Sequence, residues 1–208
     1  IEFGPNPDPA LREILLSLLE LTEQEAYDLP GPFDFNTLWT LASIDLPNLR
    51  DPPWTPRVPA ALRNENISFC NQIQRGDMLV HFPYESFDAS VERFVREGAS
   101  DPSTLGVKMT VYRVGDDTPF VRWLIAAAES GKQVACVIEL QARFDENRNL
   151  HWADELLEVG AHVSFGVLGL KIHAKVTLVV RQEGDGLRCY CHIGTGNYNE
   201  KTARLYED

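Results

Sequence analysis

Residues Gly169–Val180 read GLKIHAKVTLVV. The stretch has the β-branched density and two-residue period of a buried strand. Lys171, His173, Lys175 and Thr177 fall on one face, and Ile172, Ala174, Val176 and Leu178 on the other. Beyond Arg181, QEGDG reads as a hairpin-type turn into a second strand, LRCYCHIG, Leu187–Gly194. A strand built of core material thus carries two ammonium groups and an imidazole side by side.

Upstream of this hairpin, strand and helix patterns alternate. DMLVHF (Asp77–Phe82) reads as a short strand, ASVERFVREG (Ala89–Gly98) as a helix and GVKMTVYRV (Gly106–Val114) as a strand. PFVRWLIAAAESG is a helix closed by Gly131, QVACVIEL a strand, LHWADELLEVG a helix ending at Gly160, and AHVSFGV a strand. This layout predicts an α/β fold with a mixed sheet covered by helices. Its functional residues are expected at strand ends and in the loops that follow.

The beginning of the chain differs. Asp8 is placed as an N-cap with Pro9 at the first helical position of ALREILLSLLEL. Thr22 and Glu25 have capping-box spacing for a second short helix, and Asp34 opens a third, DFNTLWTLASI. Five prolines between Asp45 and Pro59 then exclude helix or inner strand, which sets a boundary near residue 60. The expected domains are 1–60 and 61–208.

With 208 residues, 44% of them hydrophobic, the chain can bury a sizeable core. It has no apolar run of the roughly 20 residues a membrane span needs. The four cysteines, Cys70, Cys136, Cys189 and Cys191, read as free thiols of a cytoplasmic protein. A net charge of −12 argues against a nucleic-acid partner. The charge is uneven: residues 1–50 carry nine acids against two bases, residues 169–206 six bases against three acids. A locally basic end on an acidic protein suits a confined anion site.

Four stretches point to phosphate chemistry. In KIHAK, His173 offers a nucleophilic nitrogen between Lys171 and Lys175, whose ammonium groups would offset charge on phosphoryl oxygens and favour the neutral imidazole. In HIGTGNYN, Gly194 and Gly196 allow close backbone approach, while Thr195 and Asn197 supply hydroxyl and amide donors; the Gly-Lys-Ser/Thr ending of a P-loop is missing. Arg113 in YRV and Arg143 in QARFDE suit bidentate phosphate contacts. KTARLYED adds Lys201, Arg204 and Tyr206, whose ring could stack on a base. Read singly, each has a plain alternative: a solvated sheet face, a turn, surface arginines, an amphipathic terminal segment. His81, His151, His162 and His192 read as structural or surface, the four tryptophans as core packing, and Asp116–Asp117 and Asp145–Glu146 as exposed loop acids.

Taken together, HFPYESF, YRV, GKQV, IELQARFDE, GLKIHAK and HIGTGNYNEKTARLY resemble bacterial polyphosphate kinase, over most of residues 60–208. The resemblance implies that 61–208 is most of the first of two phospholipase D-like domains sharing one site, and that 1–60 is the end of a smaller α+β head domain. It implies that His173 becomes phosphorylated by ATP and passes the phosphoryl group reversibly to inorganic polyphosphate, with Lys171 or Lys175 stabilising charge. Arg113 and Arg143 match arginines of a magnesium–phosphate site, as clamps on metal-bound phosphate since guanidinium has no lone pair to donate. Tyr206 matches a nucleotide-binding tyrosine. The parent enzyme is expected to be a cytoplasmic or membrane-associated homo-oligomer, with the second domain and its own histidine outside this chain. Phospholipase D enzymes place an Asp five residues beyond the motif lysine, where this chain has Val180. That departure disfavours a second reading, half of a phosphodiesterase. A third reading is a phosphate-binding or structural piece without turnover.

Overall fold

The computed structural model describes residues 1–31, 37–112, 119–139, 146–166 and 169–208. They form two compact units, Ile1–Pro53 and Trp54–Asp208, which divide inside the proline-rich stretch. Arg113, Arg143, Asp34, Asp116, Asp117 and Asp145 lie outside the described residues.

In the first unit, helix α1 (Pro9–Leu18) begins as its sequence dictates. A carboxylate oxygen of Asp8 accepts from the amides of Ala10 at 2.8 Å and Leu11 at 3.0 Å. Two of the four N–H groups left orphaned at a helix start are thereby satisfied. Thr22 and Glu25 close a capping box around the 3₁₀ turn Glu23–Glu25. Short strands β1 (Glu2–Phe3) and β2 (Tyr27–Asp28) pair in parallel, and Arg12 joins Glu23 and Asp28. Helix α2 spans Thr37–Ser43. Trp39 on α2 is 73% exposed and Trp54 is 55% exposed, so neither packs in a core as expected. Trp54, the first residue of the second unit, instead meets Tyr84 edge-on with ring centroids 6.2 Å apart and donates from Nε1 to Pro83 O at 2.8 Å.

The second unit is built on a five-stranded mixed sheet of order β5-β4-β3-β6-β7. Strands β3 (Thr104–Val111), β4 (Gln133–Ile138) and β5 (His162–Ser164) run parallel, and β6 (Lys175–Glu183) and β7 (Gly186–Gly194) add an antiparallel hairpin. The turn Gly184–Asp185 closes that hairpin, with Gly184 at φ +56°. Helices α3 (Phe69–Ile73), α4 (Arg93–Ser100), α5 (Pro119–Glu129) and α6 (Glu146–Glu158) accompany the sheet, α4 being entered through a π-helical turn, Asp88–Glu92. Short α7 (Glu200–Ala203) follows β7.

The core lies on one face of this sheet. Val107, Met109 and Val111 of β3, Val134, Cys136 and Ile138 of β4, and Val179 of β6 meet Val95 of α4 and Phe120, Val121 and Leu124 of α5. Each such large side chain contributes about 1.5–3 kcal/mol through burial. The opposite face, including Lys108, Thr110, Val176 and Leu178, is half-buried or exposed.

Two strand expectations change. Asp77–Phe82 alternates in burial as a strand would, with Met78 and Val80 packed on the core and Leu79 exposed, but it joins no ladder. Its backbone partner is instead the chain's last residue: Phe82 N donates to Asp208 O at 2.9 Å. Strand β6 starts at Lys175, so His173 precedes the ladder. The face bearing Lys175 and Thr177 is also the core face, with the two residues 2% and 0% exposed.

Candidate active site

The topology gathers His173, Lys175 and the start of the Gly194–Asn197 loop at one end of the sheet. Parallel strands β3 and β4 finish there, at Val111 and Ile138 with Tyr112 and Glu139 directly following, antiparallel β6 begins there at Lys175, and β7 ends there at Gly194. Lys175 and Gly194 are register partners, so the Gly194–Asn197 loop leaves the sheet beside Lys175. The segments carrying Arg113 and Arg143 follow the same strand ends, although both arginines lie outside the described residues. Convergence of strand-end loops at one edge is where open α/β sheets hold their ligands.

His173 is exposed on the segment leading into β6, and Lys175 beside it is buried. Lys175 Nζ lies 3.3 Å from Nδ1 and 3.2 Å from Nε2 of His173. An ammonium only donates, so the ring nitrogen it serves is one that carries a lone pair. That lone pair is what a nucleophilic imidazole needs.

Two side chains fix the backbone around His173. Glu139, 8% exposed, accepts at Oε2 from Ile172 N at 2.9 Å. Thr110 Oγ1 donates to Ala174 O at 2.7 Å and accepts from Val176 N at 3.0 Å. A segment without ladder partners is therefore tied immediately before and after the histidine. Asn149 of α6, fully buried, donates from Nδ2 to Tyr112 O and Glu139 O, both at 2.8 Å, and so ties together the ends of β3 and β4.

Beneath Lys175 and Gly194 lies a buried polar chain. Thr177 Oγ1 donates to Tyr198 Oη at 2.9 Å, and Tyr198 Oη lies 2.9 Å from His192 Nδ1. Thr177 and His192 are register partners on β6 and β7. Tyr198, which immediately follows the Gly-Thr-Gly-Asn loop, thus bonds to both strands that frame that loop. Burial pushes the His192 imidazole down to about 4 and the Tyr198 phenol upward.

Of the loop donors, Thr195 Oγ1 gives its proton to Asp208 Oδ1 at 2.8 Å, and Asn197 has a buried Oδ1 without a hydrogen-bond partner. A cavity of about 330 Å³ borders this loop, lined by Phe82, Phe87, Val80 and Tyr198 among others. Tyr206, 63% exposed, follows α7. Val180 is on the opposite face from Lys175, paired with Cys189. Among the described residues no group of three His, Cys, Asp or Glu side chains is arranged to hold a metal.

Residues 68–208 match the family model of polyphosphate kinase C-terminal domain 1. This chain belongs to the polyphosphate kinase family. Over its full length it is 47% identical to the polyphosphate kinase of Mycolicibacterium gilvum and 45% identical to that of Mycobacterium tuberculosis. A crystal structure of polyphosphate kinase from Porphyromonas gingivalis superposes on 99% of the chain with a TM-score of 0.70 at 30% identity. The chain spans less than a third of these proteins: 29%, 28% and 31% of their respective lengths.

Within this polyphosphate kinase chain, sequence reading found His173, Lys171 and Lys175 but passed over Tyr112, Glu139, Thr110 and Asn149. Tyr112 and Glu139 stand inside the quoted motifs YRV and IELQARFDE, where the arginines drew attention because their chemistry is explicit. His192, read as structural or surface, is half-buried and within hydrogen-bond distance of Tyr198.

Proposed function

We propose that the enzyme to which this chain belongs transfers a phosphoryl group reversibly between ATP and inorganic polyphosphate through a phosphohistidine at His173. The observation that carries this is the placement of Lys175 Nζ 3.2–3.3 Å from both ring nitrogens of His173, at the sheet edge where the loops converge. A lone pair of the imidazole attacks the γ-phosphorus, the N–P bond forms, the bond to the bridging oxygen breaks, and ADP leaves with the electron pair. Lys175 and Lys171 offset charge on the transferring oxygens. The terminal oxygen of polyphosphate then attacks the phosphohistidine and restores the imidazole.

Backbone amides of Gly194–Asn197 and the Asn197 side-chain amide supply further phosphate donors, the Thr195 hydroxyl joins them once it turns away from Asp208, and Tyr206 offers a ring to the base. Magnesium, the expected companion of the nucleotide, would neutralise phosphate charge when bound, and Arg113 and Arg143 would clamp the phosphate groups. Acid-labile labelling from γ-labelled ATP tests the scheme in the full-length enzyme. Label that appears in the parent and vanishes in His173→Ala supports it. Equal label in both overturns it, and phosphate binding with no label in either favours a non-catalytic anion site.

A further inference from the structure

All three members of the Lys171–His173–Lys175 cluster meet the ring of Tyr112. Lys175 Nζ stands 5.1 Å from its centroid and Lys171 Nζ 5.5 Å. The His173 ring meets it in a T-shaped arrangement, with centroids 5.0 Å apart and an interplanar angle of 74°. Tyr112 is itself buried, at 7% exposure, and its carbonyl is held by Asn149. The ring is therefore a fixed surface, set just beyond the end of β3, against which the side chains of Lys175 and of the segment leading into β6 are arranged.

The chemistry of such a surface differs from that of a carboxylate. An ion pair holds a lysine but neutralises it, and its negative charge opposes an incoming polyphosphate. A π face attracts an ammonium through its quadrupole and leaves the positive charge available to the substrate. Two ammonium groups directed to one ring also repel each other at short range, which stores positive potential where phosphoryl oxygens arrive. We infer that Tyr112 is a positioning residue for phosphoryl transfer: its ring holds Lys171 and Lys175 charged beside His173 and orients the imidazole for attack. This inference rests on the phosphohistidine reading above.

The test separates ring electrostatics from shape. In the full-length enzyme, Tyr112→Phe sets the reference, and phenylalanines bearing one, two and three ring fluorines are placed at the same position. Fluorination drains the π face with little change in volume. The rate of acid-labile labelling from γ-labelled ATP and the KM for ATP are measured for each, with His173→Ala in parallel. The inference expects a stepwise fall in labelling rate of roughly threefold to tenfold across the series, the range that loss of a partly buried cation–π contact corresponds to. Tyr112→Leu should fall further, and melting temperatures should stay level across the fluorinated set. A labelling rate that requires His173 yet is flat across the series overturns the role of Tyr112 alone. Label that persists in His173→Ala overturns the phosphohistidine reading, and this inference with it.

Discussion

The hydroxyls of Thr177 and Tyr198 meet at 2.9 Å with both side chains fully buried. This bond fastens the residue after the Gly-Thr-Gly-Asn loop to the strand that bears Lys175, two positions below it. Loop and lysine are thus joined by this buried contact as well as by the register pairing of Lys175 with Gly194.

Tyr198→Phe keeps the ring against Phe120 but removes the hydroxyl that serves both Thr177 and His192. Stranding buried polar atoms costs about 1–3 kcal/mol. Urea unfolding should show a loss of that size. Adding Thr177→Val should cost less in the Tyr198→Phe background than in the wild type, because the bond is already gone. Strictly additive losses would contradict the coupling.

Stability should also fall with acidity in a window set by His192. Its folded imidazole is held down to about 4 by burial, against about 6.5 in an unfolded chain. Between those values the unfolded state binds the extra proton, so stability is present above pH about 6.5 and is lost as pH falls toward 4. The loss is on the order of 3 kcal/mol. Glu92, whose carboxyl burial raises, titrates in the opposite sense. The readout is therefore the difference between wild type and His192→Gln, and the variant should lose the slope. Parallel pH profiles would contradict the assignment.

Helix α4 crosses β6 at Gly98, where a Cβ would come 2.6 Å from a methyl of Val179. Gly98→Ala therefore overpacks the layer directly behind Thr177, at about 1–3 kcal/mol. Pairing it with Val179→Ala should recover part of that loss, measured by thermal melting. No recovery would locate the strain elsewhere.

Lys175→Met keeps much of the buried stem and removes the charge beside His173. On the proposed chemistry, phosphoenzyme formation should slow by about 100-fold or more, the usual effect of deleting one preorganised charge stabiliser. Single-turnover quench measurements would show it. A rate within a few-fold of wild type would remove Lys175 from the transfer step.

What could be seen in the sequence was mostly local. Asp8 and Pro9 start α1, Thr22 and Glu25 make their box, and Gly184–Asp185 turns the last hairpin, because each depends on residues within a few positions of one another. Motif strings carried the family and the cluster around His173. Asp77–Phe82 failed as a strand because alternation is local whereas a ladder needs a distant partner, and Phe82 finds Asp208 instead. The face holding Lys175 and Thr177 looked wet because its residues are polar. Register with Met109 and Val107 of β3 turns it inward, where Tyr198 satisfies Thr177. Glu139, Thr110 and Tyr112 act on His173 across separations of 34, 63 and 61 positions, and no periodicity in one chain encodes that.

The central claim is that His173 carries the phosphoryl group. The most direct measurement is to quench the full-length enzyme in alkali during turnover with ATP, digest it, and locate the phosphate by peptide sequencing in a mass spectrometer. The account predicts phosphate on the peptide containing Lys171–Lys175, with fragments assigning it to His173. Phosphate on another residue of that peptide, or on no residue of this chain while turnover proceeds, would contradict it.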